Sequence, residues 1–190
     1  MATLPDPRRI VLSNLPLPSA LAGKEGAEPA VQVASALLPA VSELDGQAAR
    51  HTVFTHPSVP TSNSGLDITL IERGLAIPGG ANISFNDLAP GGKVPMHRTQ
   101  TTDYDIFFHG SVTLITPDEA YDPKTGKGKL RETTCNPGDV VMLRGALHAW
   151  ENRSSEWVRF ISVMLGAKKT VVEIEGNAVA VKMLPDCFEV

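Results

Sequence analysis

From residue 51 onward, apolar and polar side chains alternate in short runs, and glycine or proline separates the runs. Successive side chains of an extended chain point to opposite faces, so this alternation marks half-buried strands. The runs predict strands at 51–55, 68–72, 81–88, 93–99, 104–109, 112–117, 130–134, 140–143, 146–152 and 157–166. Pro-Gly-Gly at 78–80 and 90–92 and Asn-Pro-Gly at 136–138 supply turns between them. Residues 118–128 read as an exposed hairpin loop. Residues 170–174 predict one more strand, followed by an edge strand or helix. Many short strands with such turns specify an all-β sandwich or barrel.

The first fifty residues have a different texture. Pro5, Pro7, Pro16, Pro18 and Pro29 predict an extended arm with one short strand at 9–12. Val31, Val33, Leu37, Leu38, Val41 and Leu44 fall near helical period, which predicts a helix or a broken pair over 30–49. An apolar helical face must pack on something. The chain therefore divides into an N-terminal arm and short helical segment, 1–50, and a barrel, 51–190. The arm is expected to pack on the barrel or on a dimer partner.

Composition narrows the classes. A chain of 190 residues is long enough for one sizeable core, and 42% hydrophobic content is that of a globular protein. The net charge of −4 with interspersed signs gives no basic surface for nucleic acid. No apolar run has the length of a membrane span. A basic, then apolar, then small-residue leader is not visible, so a cytoplasmic location is the expectation. Cys135 and Cys187 lack zinc-finger spacing and read as free thiols.

Two stretches carry the chemistry. Residues 91–110 read GGKVPMHRTQTTDYDIFFHG and residues 138–152 read GDVVMLRGALHAWEN. In each, a glycine opens a strand pattern that leads to one histidine. His97, Thr99, Thr101 and Asp103 share a face if the strand runs that far; His148, Trp150 and Asn152 share one in the second stretch. If both strands line one cavity, His97, Asp103 and His148 can meet. Two imidazoles and a carboxylate suit a divalent transition metal and leave coordination positions open.

The spacing Gly91, His97, Thr99, Asp103, Gly110 resembles the first cupin motif, and Gly138, Gly145, His148, Asn152 resemble the second. Arg144 stands where the second motif often has proline. The string HRTQTTDY together with RGALHAW resembles a cupin subgroup of fungi and some bacteria, often encoded beside natural-product pathways. The likeness covers roughly residues 70–166. It implies a single all-β cupin barrel, a jelly-roll-like double-stranded β-helix. Two positions depart from the family pattern: Thr99 replaces the usual second histidine, and Asp103 replaces the usual glutamate. A four-ligand centre is thereby lost, which leaves His97, Asp103 and His148 as metal ligands. Iron, zinc, manganese and nickel are not distinguished, and a metal-free site stays open.

Roles follow from these positions. His148, His97 and Asp103 are the catalytic candidates. Arg144, Thr99, Tyr104 and Trp150 are the substrate-binding candidates. Arg144 would clamp a carboxylate by two prongs or pair with Asp139. Thr99 and Thr101 read as strand formers or as donors that orient Asp103. Phe85, Phe107, Phe108 and Ile161 read as core or pocket wall, and His51, His56 and His109 as structural or exposed. Gly110, Gly138 and Gly145 read as turn residues with positive φ. The resemblance implies a small hydroxylated or carboxylated, polyketide-like substrate. The activity it implies first is a lyase, a dehydratase or decarboxylase; the rivals are a non-haem metal-dependent dioxygenase and a small-molecule-binding barrel without turnover. A homodimer is expected, with no nucleic-acid or membrane partner.

Overall fold

The computed structural model describes residues 4–15, 19–21, 28–61, 74–122, 125–174 and 177–183. Period-two alternation becomes strand wherever a neighbour supplies backbone partners. Among the described residues fourteen strands form: β1 (Arg8–Asn14), β2 (Val31–Leu37), β3 (Val41–Glu43), β4 (Ala48–His56), β5 (Ala81–Leu88), β6 (Lys93–His97), β7 (Thr101–His109), β8 (Val112–Pro117), β9 (Leu130–Cys135), β10 (Val140–Arg144), β11 (His148–Glu151), β12 (Val158–Gly166), β13 (Val171–Ile174) and β14 (Asn177–Met183). They build a six-stranded sheet, β10-β7-β12-β5-β4-β3, and a four-stranded sheet, β6-β11-β8-β9. β1-β2 and β13-β14 form separate two-stranded ribbons. All the strand pairings are antiparallel. The fold is all-β, with the two larger sheets facing each other across one core, as the cupin resemblance implies.

The core lies between the two sheets. Leu88, Phe107, Leu143, Val158 and Phe160 come from the six-stranded sheet; Val112, Leu114, Cys135 and Trp150 come from the four-stranded one. Phe107 sits 4.9 Å from Phe160 and 5.5 Å from Trp150, centroid to centroid, within the range of favourable ring packing. Burial holds the Cys135 thiol up at about 11, so it stays protonated and unreactive. Fully buried Asn152 ties the end of the second motif down. Its amide donates to the carbonyls of Leu88, Ala89 and Glu156 at 2.7–3.0 Å.

A buried polar cluster anchors the arm. The Arg159 guanidinium grips both oxygens of Asp87, at 2.6 and 2.5 Å, and donates to the Pro5 carbonyl at 2.7 Å. His51 spans from the Leu38 carbonyl, 2.7 Å from Nδ1, to Asp87, 3.2 Å from Nε2. Arg9 reaches the Val53 carbonyl at 2.7 Å.

Three expectations need correction. The helix over 30–49 is absent; β2, β3, a short 3-10 turn at Leu44–Gly46 and the start of β4 occupy that span. Val31 and Val33 are β-branched and alternate, Pro39 interrupts any helix, and β1 supplies the backbone partners of β2. The strand expected at 93–99 stops at His97 and resumes at Thr101. Phe108 points outward and is exposed, because it alternates with buried Phe107. The strand expected at 68–72 and Cys187 lie outside the described residues. Among the described residues, no helix is long and apolar enough to cross a membrane.

Candidate active site

Both motif histidines come from adjacent strands of the four-stranded sheet. β6 delivers His97 and β11 delivers His148, and the two are direct partners in the register. Gly145 makes the tight approach to β11 at φ +62°, a backbone conformation that favours glycine. A Cβ there would also fall 2.2 Å from the Thr170 hydroxyl oxygen. Arg98 steadies the same turn by donating to the Gly145 carbonyl at 2.7 Å.

The two imidazole centroids are 4.1 Å apart. Nδ1 of His97 lies 2.7 Å from the Pro95 carbonyl, and Nδ1 of His148 lies 2.9 Å from the Ala146 carbonyl. A carbonyl only accepts, so each Nδ1 carries a proton, and in the uncharged His148 ring the lone pair is on Nε2. Burial first, then the neighbouring His97, pushes His148 down to about 4, against its bond to Ala146. At neutral pH the ring is therefore uncharged.

These histidines open on a cavity of about 520 Å³. Leu88, Leu143, Trp150 and Phe160 are shared between the cavity wall and the core. Asp103 and Asp105 enter from the six-stranded sheet, two residues apart on β7 and thus on the same face. Thr101 donates to Thr99 at 2.7 Å, and Thr99 donates to Asp103 at 3.3 Å. Ser162 donates a short hydrogen bond to Asp105, and Asn86 donates to Ser162 at 2.8 Å. Burial raises Asp105 to about 7, opposed by the Ser162 bond and reinforced by the Asp103 charge.

The structure thus brings His97, His148, Thr99, Asp103 and Trp150 to one cavity. It places Tyr104 and Arg144 elsewhere. Tyr104 alternates with Asp103 and lies exposed on the outer face of β7. Arg144 alternates with cavity-lining Leu143 and is exposed on β10. A cation does line the cavity, but it is Arg50 on β4, paired with Glu43 at 2.5 Å. Asp105, Ser162, Asn86 and Arg50 were missed by sequence reasoning. The signal for Asp105 was its two-residue offset from Asp103; for Ser162 and Asn86 it was a polar residue inside an apolar strand.

The metal centre implied by the motifs meets its test here. The imidazoles fit, because both rings are oriented through Nδ1 and aim Nε2 away from the backbone. The third ligand does not join them. Among the described residues, no group of three His, Cys, Asp or Glu side chains is placed to hold a metal ion. The reason is geometric: Asp103 stands on the opposite sheet, with a side chain one methylene shorter than glutamate, and takes the Thr99 hydroxyl. The expected set of His97, Asp103 and His148 is not assembled as a three-ligand centre.

No family model matches the chain. It is 32% identical over 133 residues to a cupin-domain-containing oxidoreductase of Neurospora crassa, covering 68% of this chain and 62% of that protein. It is 34% identical over 105 residues to phomopsin biosynthesis cluster protein C' of Diaporthe leptostromiformis, covering 55% and 49%. It is 32% identical over 97 residues to oryzines biosynthesis cluster protein J of Aspergillus oryzae, covering 50% and 48%. The chain spans about half the length of the first curated relatives it matches. Among solved structures, the polyketide cyclase RemF from Streptomyces resistomycificus aligns with a TM-score of 0.44 at 16% identity, over 67% of this chain and 72% of that chain. The chain shares 32% identity over 133 residues with a named cupin-domain protein, and its two motif strands pair His97 with His148 in one barrel sheet; the chain belongs to the cupin superfamily.

Proposed function

We propose that this cupin is a small-molecule lyase, which removes water or carbon dioxide from a hydroxylated or carboxylated natural-product intermediate. The observation that carries the reading is His148. Its ring is buried, uncharged at neutral pH and oriented by Ala146, and its Nε2 has no hydrogen-bond partner among the described residues. In a dehydration such a nitrogen takes the proton from the carbon beside a carbonyl, the enolate expels the β-hydroxyl, and the imidazolium returns the proton to it so that water leaves. The enolate in turn stabilises the imidazolium, which offsets the low basicity of the buried ring. In a decarboxylation the C–C bond breaks to carbon dioxide and an enolate, whose carbon takes its proton from a water that donates a hydrogen bond to the neutral imidazole. Arg50 offers a charge to a substrate carboxylate by exchanging it for Glu43. Trp150 and Phe160 suit a flat, conjugated body. The names of the phomopsin and oryzines cluster relatives support a natural-product setting.

The test is an anaerobic incubation of chelator-treated protein with a panel of β-hydroxy and β-keto carboxylic acids, read by mass spectrometry. Loss of water or carbon dioxide that disappears in His148→Ala supports the lyase. The Neurospora crassa relative's name, an oxidoreductase, favours a second reading. Turnover that requires oxygen and iron would move the assignment there, and specific binding without turnover would leave a carrier or sensor barrel.

We also infer a homodimer. Val31, Val33 and Leu37 lie on one face of β2, and Ile10 of β1 stands opposite that face at Ser35. All four are exposed in the single chain, at 48–66%. A strand ribbon with an uncovered apolar face is suited to a second copy.

A further inference from the structure

The imidazoles occupy one wall of the cavity, and a line of polar groups occupies the other. Ser84 and Asn86 come from β5, Ser162 from β12 and Asp105 from β7, three neighbouring strands of the six-stranded sheet. Ser162 is the register partner of both Asp105 and Ser84. The hydrogen bonds run in one direction: Ser84 donates to Asn86 at 3.4 Å, Asn86 to Ser162 at 2.8 Å, and Ser162 to Oδ1 of Asp105. Each hydroxyl and amide in this line therefore has a partner, as burial demands. The line ends at Asp105, which is 3% exposed and whose Oδ2 has no hydrogen-bond partner among the described residues. Asn86, Ser162 and Asp105 all line the cavity.

A carboxyl group left part-satisfied in an apolar wall is costly unless something completes it. A purely structural network would end on a backbone group or a second side chain. This one ends at the substrate space. We propose that Asp105, held by Ser162 and Asn86, is a hydroxyl-binding subsite that seats an oxygen substituent of a small conjugated molecule whose opposite face meets the His97–His148 pair. A hydroxyl fits because it both donates and accepts, so it satisfies Asp105 in either protonation state. The substrate class is thereby narrowed to flat molecules with at least one hydroxyl remote from the reacting carbon. The inference rests on the reading of this cavity as the substrate site, and it adds a determinant of specificity to that reading.

The test uses a matched pair of probes, naphthalene-1,3-diol and 1-naphthol, titrated into the full chain by calorimetry. Wild type is expected to prefer the diol by roughly 10- to 100-fold, the worth of one hydrogen bond to a charged group. Asp105→Leu should reduce that preference to about 3-fold or less through lost affinity for the diol, with 1-naphthol little changed; Asp105→Asn, which keeps an acceptor and a donor, should retain most of it. If Asp105→Leu does not fold, Ser162→Ala carries the same expectation of a reduced preference. Equal binding of the two probes by wild type, a preference undiminished in the variants, or failure of either probe to bind overturns the subsite. His148→Ala separates this proposal from the lyase reading. It should keep the diol preference while removing turnover; a wild-type protein that shows the preference but no lyase activity on the acid panel refutes only the reaction. Conversely, His148-dependent turnover with a KM indifferent to Asp105→Leu refutes only the subsite.

Discussion

Replacing Asp87 with leucine should be among the most damaging single changes in the barrel. Asp87 is 5% exposed at its side chain and Arg159 is 8% exposed. The carboxylate accepts two charge-assisted bonds from Arg159, at 2.6 and 2.5 Å, and stands 3.2 Å from His51. Leucine has nearly the right volume, so little cavity is created. The loss is electrostatic: a guanidinium stays buried with no counter-charge. Breaking one side of a buried pair in this way costs roughly 3–5 kcal/mol. For a chain of this length that corresponds to a melting point lower by roughly 6–20 °C. The double variant Asp87→Leu/Arg159→Met removes both charges and should recover most of the loss, because the desolvation penalty disappears with them. Urea unfolding followed by tryptophan fluorescence would measure both, with the double-mutant cycle isolating the pair. The reasoning fails if Asp87→Leu costs less than about 1 kcal/mol, or if the double variant is as unstable as the single one.

Three other outcomes are expected. His148→Ala should lower turnover by at least roughly 10²-fold, whereas Thr99→Ala, which loses only a donor to Asp103, should cost on the order of 10-fold; steady-state kinetics on protein of verified fold decides between them. The native chain refuses a proton at His148 between about 6.5 and 4, so that group makes stability fall as pH drops through this window, while Asp105 holds its proton up to about 7 and makes stability fall as pH rises above about 4. The two slopes oppose each other, so His148→Gln should leave stability declining from pH 4 to 7 and Asp105→Asn should leave it rising from pH 4 to 6.5; unfolding free energies at stepped pH that show the same slope in both variants would contradict the assignment. Light scattering at micromolar concentration should return twice the chain mass, and Val33→Asp, placed on the exposed ribbon face, should return one; a wild-type monomer would remove the homodimer.

The barrel was legible because period-two alternation survives in most of its strands. The bounds of β5 and β8 coincide with the sequence reading, since each run ends at a turn-forming residue. The 30–49 segment misled because valines at 31, 33 and 41 also fit a helical stripe, and only the distant partner β1 decides between the two periods. The histidine pair was legible from motif spacing. Tyr104 and Arg144 were misjudged by position within the motif, although alternation from Asp103 and Leu143 already turned both outward. Asp105 could have been found by the same alternation. Arg50 could not, because its place on the cavity wall depends on β4 joining the six-stranded sheet beside β5.

The two unlike walls have a consequence for handedness. A flat molecule held between imidazoles on one sheet and a carboxyl line on the other presents its two prochiral faces to different chemistry. Turning the molecule over would set its hydroxyl against the histidines and its acidic carbon against Asp105, where no base with the orientation of His148 waits. On the proposed lyase reading one face alone is productive. The face from which a proton is removed on that reading, and any new stereocentre or double-bond geometry that results, is therefore fixed by the order of strands in the barrel.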